Sequence, residues 1–169
     1  MTIKEAVHFV HENEARLVDI RFTDLFGKWQ HFTVAAADFT EDVFEDGLGF
    51  DGSSIRGFQA INESDMLLVP APDTLFMDPF AEHPTAVIIC NIEDPITREA
   101  YSRDPRYVAK KAEAYLKSTS IADTAFFFFF SEFFLLSKLR YANEAHGSFY
   151  ELDNPEARWN SVRELAIGV

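Results

Sequence analysis

Cysteine is almost absent from the sequence, which has one such residue in 169. A single thiol cannot form an internal disulfide, so stabilisation by a bridge within the chain is excluded. Cys90 lies in the apolar run 86–90, which favours a small buried thiol. These features fit a reducing compartment, and we expect a cytoplasmic location.

Positive charge is also scarce. There are 15 Lys and Arg residues against 28 Asp and Glu residues, which gives a net charge of −13. Binding to the phosphates of nucleic acid or of an anionic membrane requires clustered Lys and Arg. We therefore expect neither nucleic acid nor a membrane as a partner. A phosphate site assisted by Mg²⁺ is still possible, because the metal supplies the positive charge.

Long hydrophobic runs are missing as well. The longest apolar run, 125–130, ends before Ser131 and Glu132 and is far shorter than the roughly 20 residues that span a bilayer. The GxxxxGK[ST], GxGxxG and GxSxG motifs are absent, so any nucleotide site must be built in another way. Aromatic residues are plentiful at 15% of the chain, which excludes disorder and predicts a folded core.

The hydrophobic pattern predicts a β-rich N-terminal part. Thr2 and Glu5 form a capping box before a short helix that ends near Asn13. Alternation on both sides of Gly27 indicates a hairpin, and a short acidic helix is stopped by Gly47. The predicted strands cover residues 17–22, 29–34, 66–69, 75–77 and 86–92, and the acidic helix covers residues 39–45.

The composition changes beyond these strands. Asp104, followed by proline, is a suitable N-cap for a helix over 105–118. Residues 124–136 are apolar at odd and even positions alike, which predicts a strand buried on both faces. We therefore predict a β-rich domain over 1–100 and the first elements of an α/β domain over 101–169. The second domain has too little chain to close a core, so the sequence is expected to be cut short.

A segment rich in turn-forming residues, 47–65, contains the first candidate site residue. Apolar residues are interleaved with the polar ones, which predicts an ordered loop that docks on a surface. Asp51 lies in this loop. Its carboxylate either accepts backbone N–H bonds in a turn or binds a cation and takes a proton.

Glu132 is the second candidate, because it is the only charged residue within 124–136. An ionised carboxylate buried without a partner costs several kcal/mol. The side chain must therefore be paired, protonated, bound to a metal or placed at an exposed strand end. A structural ion pair and a metal-binding or catalytic role both remain open.

Five stretches of the chain together point to a known family. They are VDIRFTDLFGK (18–28), FDGSSIRGF (50–58), INESDM (61–66), YSRDPR (101–106) and GSFYE (147–151). In these stretches the sequence resembles the glutamine synthetases, specifically the bacterial type I class. The resemblance runs in register from about residue 5 to about residue 160, and FDGSSI followed by NESDM is its most specific part.

The resemblance implies a fold, an activity and an assembly. The fold is α+β, with an N-terminal β-grasp domain leading into an α/β catalytic domain. The implied activity is the ATP-dependent ligation of glutamate and ammonium to glutamine through γ-glutamyl phosphate, with Mg²⁺ or Mn²⁺ as cofactor. The implied assembly is a homo-oligomer, a dodecamer of two stacked hexameric rings. There the FDGSSI loop of one subunit completes the active site of the next.

The resemblance also implies roles for single residues. Asp51 matches the carboxylate that binds ammonium and helps to deprotonate it, which suits a general base. Ser54 and Phe58 lie on the same substrate loop, and Phe58 stands where many relatives carry Trp. Glu132 matches the second Glu of a Glu-x-Glu strand that binds metal, and phosphoryl transfer requires such a metal.

The sequence departs from the family pattern in this same strand. Phe130 replaces the first Glu and Phe128 replaces a Gly, so one metal would lose a ligand and a ring would intrude near the nucleotide. The five phenylalanines at 126–130 are an aggregation hazard unless they are buried. The family's other metal, nucleotide and glutamate contacts lie beyond residue 169, so we expect the chain alone to be inactive. The alternative is a non-catalytic β-grasp interaction module or a degenerate copy of the enzyme.

Overall fold

The computed structural model describes residues 1–154 and Arg158. The chain divides into two compact units, Met1–Ala125 and Phe126–Val169. Residues 155–157 and 159–169, at the end of the predicted second domain, lie outside the described residues. No described helix is long and apolar enough to cross a bilayer. The domain boundary near residue 100 stays a prediction.

Residues 1–125, all of them described, contain three α-helices and six strands. The helices are α1 (Ile3–Glu12), α2 (Asp42–Asp46) and α3 (Pro105–Ser118). The strands are β1 (Leu17–Thr23), β2 (Trp29–Ala35), β3 (Leu48–Asp51), β4 (Asp65–Pro70), β5 (Phe76–Met77) and β6 (Thr85–Glu93). Each helix and strand predicted up to residue 118 is confirmed, with bounds that differ by a few residues. Strand β3 was not predicted.

The six strands form one sheet in the order β2-β1-β6-β4-β3, and β5 pairs with β6 as well. Strand β1 is antiparallel to β2 and parallel to β6. Strand β4 is antiparallel to both β6 and β3. The long β6 is therefore the central strand, and β3, which ends at Asp51, lies at the sheet edge.

One hydrophobic cluster joins α1 to the sheet. Alternate side chains of β1 and β6 belong to it, and Ala6 and Val10 supply the apolar face of α1. Cys90 of β6 is buried in the cluster as a free thiol, as predicted, and burial raises its pKa. The capping box of Thr2 and Glu5 is also confirmed, since each residue bonds the backbone N–H of the other.

Asp104 joins the start of α3 to the end of β6. Its side chain is buried, and one carboxylate oxygen accepts the N–H of Arg106 at 2.9 Å, which confirms the predicted N-cap. The other oxygen accepts the N–H of Ile92 at 3.2 Å. Burial raises the pKa of Asp104 even though these bonds favour the ionised form.

The second unit contains an antiparallel hairpin of β7 (Lys138–Glu144) and β8 (Gly147–Asp153). Lys138 and Arg140 on β7 both form ion pairs with Glu151 on β8, each at 3.0 Å. The sequence pattern gave no prediction of this hairpin, which lies within the GSFYE region and just before it.

The predicted buried strand over 124–136 is wrong. These residues form no strand, and the seven phenylalanines between residues 126 and 134 are 80–92% exposed. A strand requires a neighbour to bond with its N–H and C=O groups, and among the described residues none pairs with this segment. Apolar residues at odd and even positions alike indicate a buried strand only where other elements cover both of its faces.

Candidate functional site

Asp51 lies where the edge strand β3 ends. It stands opposite Asp65 in the antiparallel register of β3 and β4. The chain then turns at Gly52, whose N–H donates to the carbonyl of Ser64 at 2.7 Å. A Cβ at Gly52 would lie 2.9 Å from Cγ of Met66, so any larger residue would force the Met66 side chain or the turn to shift. The register and the turn together fix the backbone at Asp51.

The Asp51 carboxylate is exposed and accepts three hydrogen bonds from the residues that follow it. The N–H and Oγ of Ser53 donate to one oxygen at 2.8 and 2.6 Å, and Oγ of Ser54 donates to the other at 3.1 Å. The Ser53 bonds, helped by Ser54, hold the pKa of Asp51 below its usual range. The turn geometry anticipated from the sequence is present, and it leaves an accessible anion.

The structure brings only two of the three predicted loop residues together. Ser54 is exposed beside Asp51. The ring of Phe58, by contrast, is 1% exposed and packs in the core, with centroids 6.4 Å from Phe22 and 5.3 Å from Tyr101. The side chain of Phe58 therefore faces its own domain interior.

Two residues that were not predicted as site residues hold the far end of this loop. The hydroxyl of Tyr101 donates to the carbonyl of Phe58 at 2.8 Å. Nη1 of Arg103 donates to the carbonyls of Gly57 at 3.0 Å and Phe58 at 2.7 Å. Both residues belong to the YSRDPR stretch. That stretch marked them as part of a resemblance but carried no information about the partner they bind.

A hollow of about 590 Å³ lies on the Asp65 side of the loop. Glu63, Asp65 and Asp94 line it together with apolar residues such as Met66 and Ile96. The three carboxylates give this hollow a negative charge, which favours a cation there.

Glu132, the predicted metal ligand, is exposed in the segment without regular structure. Mg²⁺ prefers an octahedral set of oxygen ligands, to which carboxylates contribute. Among the described residues, no group of three or more His, Cys, Asp and Glu side chains is placed to hold a metal ion. The described residues do not by themselves form a metal centre, and the role of Glu132 stays a prediction.

Comparison with known proteins supports the predicted family. Residues 14–95 match the family model described as glutamine synthetase, beta-Grasp domain. The glutamine synthetase of Frankia alni is 52% identical over 161 residues, which are 95% of this chain and 34% of that protein. The glutamine synthetase of Methylococcus capsulatus is 51% identical over 168 residues, which are 99% of this chain and 36% of that protein. The chain spans about a third of the length of these curated relatives.

A solved structure shows the same fold. The cryo-EM structure of Plasmodium falciparum glutamine synthetase matches with a TM-score of 0.72 at 20% identity, over 100% of this chain and 34% of that one. The predicted β-grasp fold is thereby confirmed. The chain corresponds over nearly its whole length to the N-terminal part of glutamine synthetases, and its residues 14–95 match the β-grasp domain of that family.

Proposed function

We propose that the chain is the N-terminal part of an ATP-dependent glutamate–ammonia ligase, and that Asp51 binds the ammonium substrate. The observation that carries the proposal is an exposed carboxylate with a lowered pKa, fixed at the end of β3. Identity of about 50% to proteins named glutamine synthetase, over nearly the whole chain, supports the reaction class.

The proposed reaction has two steps. The γ-phosphoryl group of ATP is transferred to the side-chain carboxylate of glutamate, which gives γ-glutamyl phosphate and ADP. Ammonia then attacks the acyl carbon, and phosphate leaves as the amide of glutamine forms. A bound Mg²⁺ or Mn²⁺ would neutralise the phosphate oxygens in the first step.

Asp51 acts in the second step. Its anionic form binds ammonium as a cation, and the hydrogen bonds from Ser53 and Ser54 keep the carboxylate ionised. The same bonds make it a weak base, so transfer of the first proton is driven forward as ammonia is consumed. A second proton leaves after attack, when the acylated nitrogen is far more acidic, and the departing phosphate is a sufficient base to take it. Asp51 then releases the first proton to the solvent and is ionised again.

The exposed position of Asp51 also supports a shared active site. In the proposed assembly, a homo-oligomer with two stacked hexameric rings, Asp51 of one subunit reaches the glutamate and ATP sites of its neighbour. Surface exposure at a sheet edge is the geometry that such sharing requires. The proposed location of the assembly is the cytoplasm, which suits the free thiol of Cys90.

A second candidate function is a non-catalytic interaction module, or a degenerate copy of the enzyme. The observation that favours it is Phe130 in the position of a metal-binding Glu, with Phe128 in the position of a Gly. The exposed aromatic segment around both residues contains no grouped metal ligands among the described residues.

The test uses two chimeras with the glutamine synthetase of Frankia alni. In one, residues 1–118 of this chain replace the matching part of the relative. In the other, residues 1–154 replace it, so that the phenylalanine segment is included. Glutamine formation from glutamate, ATP and ammonium by both chimeras supports the proposal.

Two other results would count against the proposed function of the whole 1–154 segment. Activity in the shorter chimera only would favour the degenerate copy, because the phenylalanine segment would then be the defect. Two folded, assembled and inactive chimeras would overturn the ligase function of this domain. Asp51→Ala in the shorter chimera tests the residue itself, and it should impair ammonium use far more than ATP binding.

A further inference from the structure

We infer that Arg103 and Tyr101 are positioning residues for Asp51: they hold the far end of the loop over residues 52–58 by its backbone carbonyls and so fix the carboxylate that binds ammonium. This inference rests on the proposed function of Asp51. It concerns residues that touch neither the substrate nor Asp51 and that act through the loop between them.

The contacts converge on one peptide carbonyl. The oxygen of Phe58 accepts from Nη1 of Arg103 at 2.7 Å and from the hydroxyl of Tyr101 at 2.8 Å. Nη1 of Arg103 also donates to the carbonyl of Gly57 at 3.0 Å. Hydrogen bonds from a guanidinium are charge-assisted and stronger than neutral ones, so these bonds restrain the loop end firmly.

The residues that hold the loop are themselves tied to the sheet. The N–H of Tyr101 donates to the carbonyl of Ile92 on the central strand β6 at 2.8 Å. Edge-on packing of the Tyr101 ring against Phe58 adds an apolar contact. Two positions after Tyr101, Arg103 is followed by the buried N-cap Asp104. The far end of the loop is thus held in a fixed position relative to strand β6.

Two consecutive turns connect this end to Asp51. The N–H of Ile55 donates to Gly52 at 3.2 Å, and the N–H of Phe58 donates to Ile55 at 3.1 Å. Gly57 has a φ of +85°, which residues other than glycine rarely adopt, and a Cβ there would lie 2.9 Å from Cδ1 of Leu25. Because these two turns are hydrogen-bonded in series, we expect a displacement of residue 58 to shift residues 52–55 as well.

The near end of the loop is fixed independently by the bond from Gly52 to Ser64. Ser53 and Ser54, which donate to the Asp51 carboxylate, lie between the two fixed ends. Release of the far end would allow both hydroxyls to move away from Asp51. The carboxylate would then lose its fixed orientation without any change in its own residue type.

Arg98 provides a matched control, because it makes the same kind of bond at a different place. Its two terminal nitrogens donate to the carbonyls of Asp46 and Glu45 at the end of α2, each at 2.8 Å. Arg98→Gln removes as many arginine–carbonyl bonds as Arg103→Gln does, and it also removes an ion pair with Glu93 at 3.2 Å, so it is the more severe change of the two. It leaves the far end of the Asp51 loop untouched.

The first experiment measures amide hydrogen exchange in the 169-residue chain. Arg103→Gln and Tyr101→Phe should speed exchange at Ile55 and Phe58 by about tenfold and leave the amides of β1 and β6 unchanged. Arg98→Gln should leave Ile55 and Phe58 unchanged. Unaltered exchange at these two amides, or an equal acceleration across the sheet, would overturn the inference.

The second experiment measures kinetics in the shorter chimera. Arg103→Gln should raise the KM for ammonium about tenfold with little change in the KM for ATP, and Arg103→Lys should recover part of the loss. An unchanged KM for ammonium in an active Arg103→Gln enzyme would overturn the inference. If Asp51→Ala also leaves that KM unchanged, the proposed role of Asp51 fails instead, whereas the exchange result still reports on the loop.

Discussion

Nδ1 of His31 lies 2.8 Å from Oδ1 of Asp19, across the hairpin of β1 and β2. The Asp19 carboxylate also accepts hydrogen bonds from Oγ1 of Thr33 at 3.2 Å and from Nε of Arg21 at 2.7 Å. Nη2 of Arg21 in turn forms an ion pair with Asp78 at 3.1 Å. Burial alone would raise the pKa of Asp19, but the bonds from His31 and Arg21 outweigh it and lower the pKa. Asp19 is therefore a buried charge with its partners in place.

This network predicts a specific loss of stability in acid. Because the pKa of Asp19 is lower in the folded state, its contribution is present above the unfolded value near 3.8 and is lost as the pH falls through the folded value. Asp19→Asn should lower the free energy of unfolding at neutral pH by about 1–3 kcal/mol. It should also flatten the pH dependence below about pH 4. Urea unfolding across this range measures both effects.

The control for this prediction is Asp73→Asn, since Asp73 is exposed. It should change neither the stability at neutral pH nor the slope in acid. Parallel acid curves for the unmodified chain and Asp19→Asn would contradict a role for Asp19 in the pH dependence.

The part of the fold that local patterns determine was predictable. The capping box at Thr2, the strand β1 and the Asp104 N-cap each depend on residues a few positions apart, and all three are confirmed. The half-buried alternation expected of β1 is interrupted at Asp19, which is buried between Val18 and Ile20. Strand β3 was missed because it has four residues, includes Gly49 and is defined by its distant partner β4. Pairing between distant segments is invisible to a local pattern.

The site was predictable in its residue types and less so in its contacts. The sequence indicated a carboxylate in an ordered loop, and Asp51 is indeed held in a turn by Ser53 and Ser54. It gave no sign that Arg103 reaches back 45 positions to Phe58. The prediction of a buried strand around Glu132 was wrong because burial depends on other elements that cover the segment, and the composition of the segment itself does not show whether they are present.

A second prediction concerns Asp104. Asp104→Ala removes the cap of α3 and leaves the buried N–H of Ile92 without its carboxylate partner. We expect the free energy of unfolding to fall by about 2–3 kcal/mol. Chemical denaturation followed by circular dichroism measures the change. Glu113→Ala, which removes only an exposed ion pair with Lys117, is the control and should be nearly neutral.

A third prediction concerns the close approach at Gly52. Gly52→Ala places a methyl group against the buried side chain of Met66 and 3.2 Å from the carbonyl of Ser64. We expect a loss of about 1–3 kcal/mol in the free energy of unfolding. Gly49→Ala, at a position with no atom within 4 Å of the added Cβ, is the matched control. Equal unfolding midpoints for the two variants would show that the turn has room to relax.

A fourth prediction concerns the exposed phenylalanines. Phe127 and Phe129 are each 89% exposed, and apolar surface that is continuous along a segment promotes self-association. Replacing both with serine should reduce light scattering and the binding of a hydrophobic dye by the 169-residue chain severalfold. Tyr115→Ser, at an exposed aromatic residue outside the segment, should have little effect. Unchanged scattering in the double variant would show that the chain self-associates through another surface.

A fifth prediction separates the charge of Asp51 from its hydrogen bonds. In Asp51→Asn the amide oxygen can still accept from the N–H and Oγ of Ser53, so the turn is kept while the negative charge is removed. In the shorter chimera we expect the KM for ammonium to rise by at least about tenfold, with the KM for ATP within about twofold. Steady-state rates with one substrate varied and the others saturating give both constants.

The companion variant Ser53→Ala tests the pKa argument at the same site. It removes the largest cause of the lowered pKa, so the carboxylate should become protonated at a higher pH than in the unmodified chimera. The N–H at position 53 and Oγ of Ser54 still donate to the carboxylate in this variant, so its orientation is kept. Ammonium use should therefore be nearly normal at neutral pH and should fall earlier as the solution is made acidic. Comparable losses for ammonium and ATP in Asp51→Asn, together with an unshifted acid limb in Ser53→Ala, would mean that this carboxylate stabilises the turn and binds no cation.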